Sequence, residues 1–152
     1  MTARWILAAL HLIPLGLGFG AILWRAVTLR GPLDQTGLAR LFLADTLWGV
    51  AAVLWIVTGL MRAFGGYEKG TDYYVNSSAF MLKMGMLILI LILEIWPMIT
   101  LIKWRIGAKR ATLTDTSAAS AISTISWVQC ALVILMVFAA TAMARGLGMD
   151  IW

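Results

Sequence analysis

Four stretches of this chain stay apolar for about 20 residues or more, the length an α-helix needs to cross a bilayer. They fall at Trp5–Arg25, Leu41–Met61, Ser78–Trp104 and Ser123–Ala144. Connections under about 20 residues join them, which predicts an all-α integral membrane fold, a four-helix up-down bundle. All 152 residues then make one transmembrane domain. Composition agrees: 62% of residues are hydrophobic and 12% charged, against about 25% charged in soluble domains. The first run reads as a span rather than a cleaved signal peptide, because it is long, contains Pro14 and lacks a small-residue cleavage site.

The connections carry helix-breaking signals. Gly31-Pro32 interrupts the first, and Gly65-Gly66 opens the second, ahead of the polar run from Tyr67 to Asp72. The third is polar from Lys103 to Thr116, with Asp115 or Thr116 placed to cap the approach to the last span. The first and third connections hold Arg25, Arg30, Arg40, Lys103, Arg105, Lys109 and Arg110; the termini and second connection hold Arg4, Arg62, Lys69 and Arg145. The positive-inside rule puts the richer side in the cytoplasm and both termini in the periplasm of a bacterial inner membrane. Trp5, Trp24, Trp104 and Trp127 lie near span ends, as interfacial aromatics do.

Two ionisable residues interrupt the third run. Lys83 and Glu94 are eleven residues apart, which brings them to nearly one helix face, roughly 16 Å apart along the axis. A charge at the bilayer centre costs about 2.5–3.5 kcal/mol on insertion scales. Such residues belong in an internal polar site between helices. The orientation sorts the polar groups by depth. His11 and Lys83 form one layer near the terminal side, joined by Thr141. Asp45 and Glu94 form a second near the basic side, with Arg25 or Arg40 as counter-ion and Gln129 and Cys130 at the same level. Pro97 frees the Leu93 carbonyl, to which a protonated Glu94 could donate. Lys83, Glu94 and Asp45 are the candidate catalytic or proton-handling residues.

Other features bound the chemistry. One cysteine excludes an intrachain disulfide and a cysteine-cluster metal site; one histidine excludes in-chain bis-histidine haem ligation. Phosphate-binding loops, dinucleotide fingerprints, nucleophile elbows and HExxH are absent, as is the basic-aromatic clustering of nucleic-acid binders. Gly16 and Gly20 have the GxxxG spacing, which allows close helix packing or leaves a bare surface for a flat ring.

The segments Ala9-Leu10-His11-Leu12-Ile13, Ala44-Asp45-Thr46-Leu47-Trp48-Gly49, Leu82-Lys83-Met84-Gly85 and Leu93-Glu94-Ile95-Trp96-Pro97-Met98, with the closing run Val137 to Gly146, resemble an uncharacterised bacterial family of four-span membrane proteins, domain of unknown function 2214. That resemblance covers nearly the whole chain and implies a fold without an activity. More distantly, the pattern resembles the haem-b membrane protoporphyrinogen IX oxidase and copper-resistance D families. The oxidase resemblance implies a first-span histidine on haem iron, matched by His11, and a later lysine needed for activity, matched by Lys83. Asp45 and Glu94-Ile95-Trp96-Pro97 are not part of that pattern, which leaves the reaction open.

Three expectations follow. In the first, haem b is bound through His11 as metal ligand, with the ring against Gly16 and Gly20, Lys83 on a carboxylate, and redox or porphyrin chemistry. In the second, the chain is a non-catalytic subunit or assembly factor of a larger membrane complex. In the third, it carries copper or protons, using the span-three methionines Met81, Met84, Met86 and Met98 with Glu94. The expected partners are the lipid bilayer and a homodimer or larger complex.

Overall fold

Each apolar stretch forms one helix, because a chain in hydrocarbon must satisfy its backbone N–H and C=O groups within itself. The computed structural model describes residues 2–66, 72, 74, 76–110 and 115–146. Its helices are α1 (Thr2–Thr28), α2 (Gln35–Phe64), α3 (Ser78–Lys109) and α4 (Ala119–Ala144). All four are long and apolar enough to cross a membrane. They overrun the expected spans: α3 has 32 residues, about 48 Å at 1.5 Å per residue, against a hydrocarbon core of about 30 Å. The all-α four-helix architecture is the one expected. The polar run at 67–71 lies outside the described residues.

Local chemistry sets the helix ends. Asp34 caps α2 by accepting from the Gly37 N–H at 2.8 Å. Gly37 must lack a side chain, since a Cβ there would collide with the Pro32 carbonyl oxygen. Ser77 caps α3 through the Phe80 N–H. The expected cap at Asp115 or Thr116 is displaced. Ala118 is the N-cap of α4 and makes no side-chain cap bond, while Asp115 Oδ1 accepts from the Ser117 N–H at 2.9 Å and closes a turn just upstream.

The helix ends divide the bundle into a terminal half, holding Thr2, Phe64, Ser78 and Ala144, and a loop half, holding Thr28, Gln35, Lys109 and Ala119. Helix α1 packs against both α2 and α4, and α3 packs on α4. The α2–α3 pair has no comparable backbone approach. Trp48 and Trp55 of α2 and Met86 and Ile90 of α3 belong to one central apolar cluster, and a cleft remains between the two helices beside Asp45 and Glu94. Helix α1 packs tightly on α2 at Gly18, where a Cβ would sit 3.3 Å from the Ala51 Cβ and 3.4 Å from the Trp48 ring. Leu17, Val53 and Phe138 are among the exposed apolar side chains that face lipid. Trp5, Trp24 and Trp127 are exposed near helix ends as expected, but Trp104 is only 6% exposed. It packs with Leu29, Leu41, Leu101 and Ile122 in the loop half, because its position on α3 faces the bundle rather than the headgroups.

Candidate functional site

Two polar layers stand inside the bundle. The deeper one, in the loop half, is centred on Arg25, whose side chain is 0% exposed. Its Nη1 donates to Asp45 Oδ1 at 3.1 Å and to Glu94 Oε1 at 2.6 Å. Its Nη2 donates to Glu94 Oε2 at 2.8 Å and to Gln129 Oε1 at 3.0 Å. Its Nε donates to Ser126 Oγ at 3.1 Å. A guanidinium has five N–H donors, and all five are used. Gln129 Nε2 donates to Glu94 Oε2 at 2.9 Å and to the Ile90 carbonyl at 3.2 Å. Asp45 Oδ2 accepts from Arg105 Nη2 at 3.2 Å, and Arg105 also reaches Thr46 Oγ1 and the Phe42 carbonyl. Arg105 Nε is buried without a partner.

This cluster draws Arg25 from α1, Asp45 from α2, Glu94 and Arg105 from α3, and Ser126 and Gln129 from α4. Two cations face two carboxylates, so the assembly is formally neutral. The counter-ion is Arg25; Arg40 is exposed. Glu94 accepts three hydrogen bonds from charged or amide donors. Arg105 and Ser126 were not legible as members. Arg105 reads from sequence as one more basic residue of the third connection.

The second layer, in the terminal half, holds His11. Its imidazole is 6% exposed and sits on one turn of α2. Nδ1 lies 3.0 Å from Thr58 Oγ1. The ring stacks on Trp55 with centroids 5.6 Å apart and planes at 21°. Gly59 leaves room for it, since a Cβ at 59 would come within 3.0 Å of His11 Cε1. Trp55, Thr58 and Gly59 are spaced i, i+3, i+4 and share a helix face. They continue the buried series Ala44, Trp48, Ala51 and Trp55, and that heptad-like series is the only sequence signal that could have found them.

Lys83 approaches Trp55 from α3, with its ammonium 5.9 Å from the ring centroid, a cation–π contact. No carboxylate among the described residues is within ion-pair distance of it. Beside these groups a cavity of about 400 Å³ opens in the terminal half, lined by His11, Trp55, Arg62, Lys83, Met136 and Thr141 among others. Its described lining holds no Asp or Glu. The buried Trp55 Nε1 has no hydrogen-bond partner among the described residues.

Lys83 and Glu94 therefore share a face of α3 but serve separate layers. Apolar side chains occupy the α2–α3 seam between them, including Trp48, Ile56, Leu87, Ile90 and Leu91. The expected platform of Gly16 and Gly20 is not part of the His11 site. Both are exposed, with nothing within 4 Å of a Cβ built on either. The reason is angular: at 100° per residue, Gly16 lies about 140° and Gly20 about 180° around α1 from His11. Gly18, between them, is the glycine at a helix contact. Met84 lines a void near His11 while Met98 lines the α2–α3 cleft beside Glu94, so the two do not converge. Among the described residues no group of three or more His, Cys, Asp or Glu side chains could hold a metal ion. Cys130 is alone and buried.

Fit to haem b rests on the His11 layer. The imidazole is tied to Thr58 through Nδ1 and also interacts with the Trp55 backbone. The neighbouring cavity falls within the usual range of about 300–1,000 Å³ for ligand pockets. Lys83 lines it, and no Asp or Glu stands among its described lining residues, which suits an acidic ligand. An imidazole and a lysine beside a cavity are the two features a haem site would use here.

No curated protein and no solved structure matches the chain. The family model described as predicted membrane protein (DUF2214) matches residues 3–148. With four membrane-length helices and a family match over nearly its full length, this chain belongs to the DUF2214 family of predicted membrane proteins.

Proposed function

We propose that this protein binds haem b in the cavity of its terminal half and acts in membrane redox or porphyrin chemistry. The observation that carries the reading is the seating of His11 on Trp55, Thr58 and Gly59 beside a cavity lined by Lys83 and Arg62. His11 would hold the iron through Nε2. Lys83 would pair with a propionate, since it has no carboxylate partner among the described residues and an unpaired cation in the membrane costs about 2.5–3.5 kcal/mol. Haem iron, when bound, supplies one-electron chemistry tuned by its axial ligand and surroundings. The chain's own contribution is position, an apolar wall and fixed positive charge. Asp45 and Glu94 take a structural role here, because Arg25 pairs with both. The proposed setting is a bacterial inner membrane with both termini periplasmic.

The test is an absorption spectrum of detergent-purified protein expressed with haem supplied. Wild type should show a Soret band that His11→Ala abolishes and Lys83→Met weakens. A folded, colourless wild type would overturn the reading. A second reading draws on the ion cluster: four helices locked by a neutral network and joined by modest loops suit a small subunit of a larger membrane complex. Stoichiometric co-purification of a partner, unaffected by His11→Ala, would favour it.

A further inference from the structure

The hydroxyl of Thr58 has one proton and three acceptors within reach. The Leu54 carbonyl is at 2.7 Å, the Trp55 carbonyl at 3.1 Å and His11 Nδ1 at 3.0 Å. The shortest contact, back to Leu54 one turn earlier, is the usual bond of a threonine in a helix. With its proton spent there, Oγ1 faces Nδ1 with a lone pair. Only a protonated Nδ1 makes a hydrogen bond in that arrangement. A neutral imidazole with its proton on Nδ1 has a bare lone pair on Nε2.

We propose that Thr58 sets the tautomer of His11, holding the proton on Nδ1 and keeping Nε2 as the acceptor nitrogen. The consequence is a restriction on ligand class. His11 in this state takes a Lewis-acidic metal centre or an N–H or O–H donor; it has no ring proton to give to a carbonyl or carboxylate. Three neighbours hold the ring to that task. Trp55 stacks on its face, Gly59 leaves the space it occupies, and Thr58 fixes its rotation through Nδ1. Thr58 is thus a positioning residue, acting on a ligand only through His11. The extension to haem rests on the function proposed above; the tautomer itself does not.

His11 is the sole histidine in the chain, so the experiment reads one imidazole. Protein labelled with ¹⁵N-histidine and free of any histidine tag is examined by NMR in detergent at mildly alkaline pH, without added haem. Nε2 couples to both ring carbon protons and Nδ1 mainly to Hε1, which identifies each nitrogen. Wild type should show an unprotonated Nε2 and a protonated Nδ1. Thr58→Val removes the lone pair at similar volume and should transfer the proton to Nε2, the nitrogen that free histidine prefers to protonate. Thr58→Ser should restore the wild-type pattern, which also separates the tautomer effect from a folding defect. A protonated Nε2 in wild type, or no change in a folded Thr58→Val, overturns the proposal. Haem titration of the same proteins separates the two ideas. Loss of an orienting partner lowers metal affinity by about 10–100-fold, and Thr58→Val should weaken haem binding by that factor. The expected tautomer without a Soret band in wild type overturns the haem reading alone. A Soret band with the opposite tautomer overturns the role of Thr58 alone.

Discussion

Replacing Arg25 with methionine is the most informative single perturbation of the fold. Arg25→Met removes five hydrogen bonds at once and leaves Asp45 and Glu94 facing each other without their shared cation. Two routes give the size of the effect. Interhelical hydrogen bonds in membranes average about 0.6 kcal/mol, so five come to about 3 kcal/mol. Removing one partner of a buried ion pair costs about 3–5 kcal/mol, because a charge is left uncompensated. The routes meet at about 3 kcal/mol, a roughly hundredfold loss in the folding equilibrium constant. Arg105 does not offset this, since it reaches Asp45 but not Glu94. The assay is reversible unfolding in mixed micelles, followed by far-UV circular dichroism. A double-mutant cycle with Glu94→Gln isolates the pair, with an expected coupling above about 1 kcal/mol, inside the roughly 0.5–3 kcal/mol range for residues sharing a network. Arg25→Met within about 0.5 kcal/mol of wild type, the spread of neutral surface changes, would refute the claim that this cluster locks the bundle. So would strictly additive effects in the cycle.

Three further outcomes follow from other parts of the molecule. Gly18→Leu should destabilise by about 1–3 kcal/mol through overpacking against Trp48 and Ala51, while Gly16→Leu should leave the thermal midpoint in the same detergent unchanged; equal effects would contradict the packing. Gly59→Ala places a methyl against His11 Cε1, and should disturb the wild-type ¹⁵N pattern of His11 even where the helical circular dichroism is intact. At the approach to α4, the Ser117 N–H holds the Asp115 carboxyl below its ordinary 3.8. This depressed group supports its turn above the unfolded value and loses that support as pH falls through the folded one. The Ser117 amide resonance should titrate with a midpoint under 3.8, and Asp115→Asn should abolish the transition.

Much of the polar architecture is readable before any coordinates. Helical geometry and span polarity place His11 with Lys83, and Asp45 with Glu94 and Gln129, in two layers, and the structure keeps them there. Pairing within each layer is not readable. Arg25 and Arg40 are equivalent candidates by depth, yet one is fully buried and the other exposed. Arg105 reads as a loop charge until α3 continues past the expected span end and carries it back over α2. Thr58 has no distinguishing mark in the sequence; its position opposite an imidazole on α1 gives it one.

Length and hydrophobicity alone determined that this chain crosses a membrane as four helices, because a backbone in hydrocarbon has few other ways to satisfy its hydrogen bonds. Tertiary structure decided which apolar faces turn inward; along the chain only the few polar residues, such as Lys83 and Glu94, mark an inner side. In water the apolar stripe of a helix marks its buried side. In lipid both sides are apolar, so the mark is lost. Gly16, Gly18 and Gly20 look alike along the chain, and only the contact of α1 with α2 selects Gly18.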